Sequence, residues 1–318
     1  MWTYLLEGFS LSGNAEKIKM NYINLYKSGK LKKKIKAALN LLKKCSICPN
    51  RCGVNRLKDE KGICKTGRYA FVASFNPHFG EEAPLVGRYG SGTIFFSNCN
   101  LKCVFCQNYD ISQMGYGKEM MPEELAKIMI NLQNMGCHNI NFVSPTHIVP
   151  QILEALEIAI ENGLNLPLVY NSNGYDEIHT LKLLDGIIDI YMPDFKYGDD
   201  EMAEKYSGIK NYFNTAGMAI KEMQRQVGDL IIENGIAKKG LIIRHLVLPE
   251  NIAGSEKVIK FIAENISKNV YLNIMLQYRP EYKAYKFKEL NRSISMDEYE
   301  KVIDFAKKYG LERVMRNS

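Results

Sequence analysis

Six apolar runs of strand length recur along this chain, each followed by a segment of helical periodicity, and that alternation narrows the fold more than any other feature. The runs are residues 93–97 (TIFFS), 139–144 (NINFVS), 168–171 (LVYN), 187–192 (IIDIYM), 241–248 (LIIRHLVL) and 270–276 (VYLNIML). Continuous apolar runs suit strands covered on both faces, which means a parallel sheet, and right-handed crossovers then place the helices outside it. Pro122 introduces a helix over 123–135, Pro150 one over 151–162, Asp176 begins the next, and Ser295 with Glu298 makes a capping box before the last. Residues 199–239, between the fourth and fifth runs, read as helices around KEMQRQVGDLIIENG. The polar motifs all fall at strand carboxyl ends, which favours a barrel, complete or partial, over an open doubly wound sheet. The glycine-rich RYGSGTIFF precedes a strand instead of following one, so it is a turn and not a dinucleotide fingerprint. The expected fold is therefore α/β: a partial (β/α)6-type parallel barrel over 68–318, preceded by a helical basic arm (1–44) and a four-cysteine metal-binding segment (45–67).

Composition matters where charge and compartment are at issue. At 318 residues, 46% hydrophobic and 24% charged, the chain is globular, not disordered or collagenous. The net charge of +7 comes from one place: residues 26–44 hold eight lysines and no acid. Leu31, Ile35, Leu39 and Leu42 recur beneath those lysines near helical spacing, so the segment is expected to be an amphipathic helix on the main body. A nucleic-acid partner is therefore not expected. No apolar run approaches the roughly 18 residues of a membrane span, and the amino terminus lacks a basic start with a small-residue cleavage site. The expectation is a cytoplasmic protein, in which cysteines stay reduced.

Seven of the eight cysteines are clustered. Cys99, Cys103 and Cys106 lie in CNLKCVFC directly after the first strand. Three thiolates on one short loop can hold three irons of a 4Fe-4S cluster and leave the fourth open, and an open coordination position is what lets a metal bind and activate a ligand. Cys45, Cys48, Cys52 and Cys64 form a quartet with Pro49, Gly53 and Gly62 supplying turns. Four thiolates suit either a fully ligated 4Fe-4S cluster or tetrahedral zinc, and spacing does not choose between them. Cys137 is expected to be a small buried hydrophobe at a helix end.

CNLKCVFC resembles the signature of the radical S-adenosylmethionine (SAM) superfamily. More narrowly, the ordered series CSICPNRCGVNR, HFGEEAPLVG, SGTIFFSNCNLKCVFCQNYDIS, SPTHIVPQIL, IYMPDFKY, RHLVLP and QYRP is similar to a branch grouped with pyruvate formate-lyase activating enzymes. The resemblance implies that Cys99, Cys103 and Cys106 hold a 4Fe-4S cluster whose open iron chelates SAM. One electron from a reductant such as flavodoxin or ferredoxin then yields a 5′-deoxyadenosyl radical that abstracts hydrogen. It also makes Phe105 a neighbour of the adenine, and places Asp194 and Lys196 (the Asp-x-Lys after strand four) and Arg244 on strand five at the cofactor. A lysine and an arginine converging on a carboxylate would orient it through charge-assisted hydrogen bonds.

The chain departs from that pattern in three places. Where the family has Gly-Gly-Glu after strand two, this chain has Ser144-Pro145-Thr146-His147, so the carboxylate is missing and the hydroxyls of Ser144 and Thr146 or backbone carbonyls are the groups that could accept from the methionyl ammonium. After strand three the acidic residue is replaced in Asn171-Ser172-Asn173-Gly174, which leaves Asn171 and Asn173 as neutral cofactor contacts. Gln277 and Arg279 occupy the region of the family's late histidine. His147 and His245 lie at strand ends, whereas His78, His138 and His179 are expected to make structural hydrogen bonds. The expected function is a radical enzyme acting on a glycyl-radical enzyme or peptide; the alternatives are a small-molecule substrate, or a non-catalytic metal-cluster protein whose arm binds an acidic partner such as RNA. The tail QYRPEYKAYKFKELNRS is either a loop packing its tyrosines on the barrel or the lining of a peptide groove.

Overall fold

The computed structural model describes residues 20–316, so the first part of the expected arm lies outside the described residues. Its strands are β1 (Ala70–His78), β2 (Ser91–Phe96), β3 (Lys118–Met120), β4 (Ile140–Val143), β5 (Leu168–Ser172), β6 (Ile190–Pro193), β7 (Ile231–Glu233), β8 (Ile236–Leu246), β9 (Tyr271–Met275) and β10 (Val314–Arg316). The helices are α1 (Asn21–Lys27), α2 (Lys30–Asn40), α3 (Ala83–Val86), α4 (Tyr109–Ser112), α5 (Pro122–Asn134), α6 (Val149–Glu161), α7 (Ile178–Leu184), α8 (Asp200–Ser207), α9 (Tyr212–Val227), α10 (Ser255–Asn265) and α11 (Met296–Lys308).

The six expected strands are β2, β4, β5, β6, β8 and β9, which pair parallel in chain order, and β10 extends the row beside β9. Because neighbours follow chain order, the winding never reverses, which is the barrel-type path and not the doubly wound one. The sheet stays open, with β10 at one edge and β3 at the other. Antiparallel β1 and β3 on the β2 side were not legible: β1 carries Pro77 and a bulge at Val72/Ser74, and β3 is a three-residue edge. The segment 199–239 is not wholly helical either. After α8 and α9, β7 and the start of β8 form a hairpin about Asn234–Gly235, with φ of +51° and +79°. Asn-Gly is the preferred pair for such a turn. Ile187 and Ile188 belong to the turn after α7, so the fourth strand begins only at Ile190.

Leu31, Ile35 and Ala38 of α2 are buried while Lys32, Lys33 and Lys36 face solvent, so the lysines crown a helix that is part of the main core. The capping box at α11 is formed, the Ser295 hydroxyl accepting from the Glu298 amide and the Glu298 carboxylate from the Ser295 amide. Among the described residues no helix is long and apolar enough to cross a membrane.

Side-chain alternation divides the strands into an outer face against the helices and an inner face within the arc. Leu168 and Tyr170 of β5 join the large core, while Val169 joins Ile190, Met192, Ile242 and Leu85 of α3 in a small inner cluster. Toward the rim this lining turns polar. Glu81 accepts from Asn141 Nδ2 at 3.0 Å and Asn171 Nδ2 at 3.5 Å, and Glu82 accepts from Asn273 Nδ2 at 3.0 Å. The turn between β1 and α3 thus sets two carboxylates beside Asn171 and Asn273 near the carboxyl ends of their strands.

Candidate active site

The cysteine loop leaves β2 through Asn98, in the left-handed region at φ +69°. It is then tied to the end of α8, where Lys102 and Val104 amides donate to the Ser207 and Tyr206 carbonyls at 2.9 and 2.8 Å. Each thiol has a polar neighbour. Cys99 Sγ accepts from the Leu101 amide at 3.4 Å, Cys103 Sγ lies 2.9 Å from Ser207 Oγ, and Cys106 Sγ lies 3.1 Å from Ser112 Oγ. Burial pushes the Cys99 and Cys103 thiols up, Cys103 to about 12, and Cys106 beside both adds to the rise.

One cavity is lined by Cys99, Cys103, Cys106, Ser144, Asn171, Asn173, Asp194, Lys196 and Arg244. Nine residues taken from the sequence as site candidates therefore meet on one surface. Across from the thiols, Asp194 accepts from Lys196 Nζ at 2.5 Å and from Arg244 Nε at 2.8 Å. Burial works against its ionised form, but Arg244 and Lys196 win and hold the carboxyl below its usual range. Arg244 Nη2 also donates to Asn171 Oδ1 at 2.8 Å, and its Nη1 lies 3.7 Å from Glu81 and 4.0 Å from Glu82. Burial raises Glu81 to about 7. Asn173 Nδ2 donates to Asn100 Oδ1 at 2.7 Å and to Cys99 Sγ at 3.5 Å, joining the β5 turn to the cysteine loop.

The family model of the radical SAM superfamily matches residues 93–262, more than half of the chain. The chain belongs to the radical SAM superfamily. An uncharacterized protein of Methanocaldococcus jannaschii is 38% identical over 306 residues, 92% of this chain and 83% of that protein. A pyruvate formate-lyase-activating enzyme of Clostridium pasteurianum is 25% identical over 252 residues, 75% of this chain and 96% of that enzyme. Among solved structures, a radical SAM methyltransferase from Sphaerobacter thermophilus is 15% identical with a TM-score of 0.48, over 71% of this chain and 67% of that one.

Radical SAM proteins are enzymes that use a 4Fe-4S cluster and SAM. The chemistry of the donor set fits both groups: three thiols of one loop, standing apart and not gathered into a metal-holding cluster among the described residues, open into the same cavity as two buried cations. Two of the candidates do not face it. Phe105 is buried with its ring edge-on to Tyr278, centroids 5.9 Å apart. Thr146 is buried beside Tyr170 and Asp176, behind the rim, where Tyr170 and Ser172 hydroxyls donate to Asp176 at 2.8 and 2.7 Å. His147 and His245 are fully buried and held neutral, burial lowering them to about 3 and about 4. Glu81 and Glu82 carried no assigned role in the sequence; the adjacent acids of HFGEEAPLVG were the available signal.

In the quartet, Cys45 pairs with the far side of its own loop, its amide donating to the Val54 carbonyl and its carbonyl accepting from the Gly53 amide. A Cβ on Gly62 would sit 2.3 Å from Cys52 Sγ, so a larger residue there would force the Cys52 side chain to move. Burial raises Cys48 to about 12, and Cys64, Cys45 and Cys52 all lie near enough to add to it. Among the described residues no three His, Cys, Asp or Glu side chains stand in metal-holding array. The quartet touches the cavity loop directly: Asn50 Nδ2 donates to the Asn100 carbonyl at 2.8 Å.

Proposed function

We propose that this chain is a radical SAM enzyme of the activating type, acting on a polypeptide. The observation that carries the reading is the single cavity shared by Cys99, Cys103 and Cys106 on one wall and by Lys196 and Arg244 on the other. The three thiols hold the cluster, and the two cations hold the carboxylate of SAM. Asp194 already pairs with both cations, so an arriving carboxylate would share them with it through charge-assisted hydrogen bonds. Ser144, Asn171 and Asn173 supply neutral acceptors for the ammonium. When bound, cluster and SAM together supply the 5′-deoxyadenosyl radical, on receipt of one electron from a flavodoxin or ferredoxin.

The polypeptide substrate is supported by a groove beside the cysteine loop, lined by Tyr109, Met114, Pro280, Tyr282, Tyr285 and Asn291. Tyr109 and Tyr282 stack at 5.1 Å, whereas Tyr285 and Met114 stay mostly exposed. Rigid aromatic faces beside an open groove suit an extended peptide. The likeness to an activating enzyme points the same way. Incubation of the reduced enzyme and SAM with glycyl-radical partners, followed by electron paramagnetic resonance, tests the reading, which expects a glycyl doublet. A small metabolite that accelerates SAM cleavage and exchanges deuterium with 5′-deoxyadenosine, with no doublet from any partner, would replace it with small-molecule radical chemistry. Within the same reading Cys45, Cys48, Cys52 and Cys64 form a second thiolate metal centre, of zinc or iron-sulfur.

A further inference from the structure

Tyr212 opens α9 and is fully buried. Its hydroxyl accepts from the Lys196 amide at 2.8 Å, and its one proton faces the carbonyls of Asn173 and Asp194, each 3.0 Å away. Asn173 follows β5 and the other two follow β6, so a single oxygen ties the ends of neighbouring strands together. All three residues line the cavity into which the thiols open. The ring has little freedom to drift, being packed edge-on to Tyr197 at 5.5 Å between centroids, stacked on Tyr175 at 6.1 Å and tilted against Phe195 at 6.4 Å.

The connection that carries Tyr212 also reaches the opposite wall. Ser207, the last residue of α8, places its hydroxyl 2.9 Å from Cys103 Sγ and 2.7 Å from the Tyr197 hydroxyl. One short stretch of chain, 207–212, therefore touches the cysteine loop at one end and the Asp194–Lys196 turn at the other. A ligand held by the thiol side and by the cations at once demands a fixed separation between them, and a misplacement of about 1 Å can cost about a hundredfold in rate. We propose that Tyr212 is a positioning residue for SAM, its hydroxyl fixing Asp194 and Lys196 at the spacing from the cysteine loop that the cofactor needs. The inference rests on the reading of Lys196 and Arg244 as holders of the SAM carboxylate, and it gives the buried hydroxyl a task that packing alone would leave to phenylalanine.

The test uses the full chain with its cluster reconstituted anaerobically, as wild type, Tyr212→Phe, Lys196→Ala and the double variant. SAM affinity is read by calorimetric titration and by the change that SAM makes in the electron paramagnetic resonance spectrum of the reduced cluster. Tyr212→Phe keeps the ring and should weaken SAM binding by about threefold to tenfold, the range for one hydrogen bond. Lys196→Ala should weaken it by more than about tenfold, as expected for a bond to a charged group. The double variant should lose little more than Lys196→Ala, because the hydroxyl acts through that side chain. An unchanged affinity in Tyr212→Phe, even with a lowered melting temperature, would reduce the hydroxyl to a structural role and overturn the proposal. So would losses that multiply in the double variant. If Lys196→Ala binds SAM as the wild type does, the carboxylate reading fails and takes the proposal with it. A further measurement needs no variant: the Lys196 amide of the wild type should exchange slowly with solvent deuterium, and exchange at the rate of an open loop would overturn the bond to Tyr212.

Discussion

Asp194 at the end of β6 serves two cations, and the Glu81 and Glu82 carboxylates behind it face the same arginine. This is how the fold can bury Lys196 and Arg244 before any ligand arrives, since a buried charge without a partner is costly. Glu81 has the least favourable position in that group. Its carboxyl, raised by burial from 4.5 to about 7, keeps a proton in the fold that the unfolded chain has already released. Stability therefore falls as pH rises through that window. Glu81→Gln should remove the dependence: relative to the variant, the wild type should lose up to about 3 kcal/mol between roughly pH 5 and 8. Denaturant melts of both proteins across that range check it, and parallel profiles would contradict it. Of these residues, Asp194, Lys196 and Arg244 were readable from motifs at strand ends. Glu81 and Glu82 were not, because the adjacent pair in HFGEEAPLVG gains its meaning from Asn141, Asn171, Arg244 and Asn273, which lie far along the chain.

At the scale of elements, the parallel strands announced themselves because both their faces are covered and their runs are continuous. The edge strands β1, β3 and β10 escaped because they are short or half-exposed, with no hydrophobic period to detect. The hairpin at Asn234–Gly235 was a different kind of miss, since the turn pair was visible but the surrounding IIENGIAKK was absorbed into a helical reading. The turn after β5 shows how one backbone position sets a site. Gly174 has φ +77°, and a Cβ there would sit 2.3 Å from the Asp194 carbonyl oxygen. Gly174→Ala should cost about 1–3 kcal/mol of stability, through a left-handed backbone and a contact that must open. The opening would shift Asp194 relative to Lys196 and Arg244, so SAM affinity should fall as well. Thermal melts and calorimetric titration of the reconstituted protein would show both losses, and a stable variant with unchanged affinity would refute the argument.

For the molecule as a whole, the lysine-rich arm, the quartet and the barrel are bound into one arrangement. Tyr22, Leu31, Leu42, Cys45 and Ile47 share a hydrophobic core with the strands. Arg51 holds Glu177 through two hydrogen bonds of 2.7 and 2.9 Å, and Thr180 Oγ1 donates to the Ile47 carbonyl at 2.8 Å. The amino-terminal segment thereby steadies the same rim loops that shape the cavity. Everything in the account turns on Cys99, Cys103 and Cys106 acting as one cluster site. The most direct measurement is anaerobic release of 5′-deoxyadenosine from SAM by the reconstituted, reduced protein, compared with a variant in which all three are alanine. The wild type should cleave SAM and the folded variant should fall to the chemical background; equal release from both would contradict the assignment.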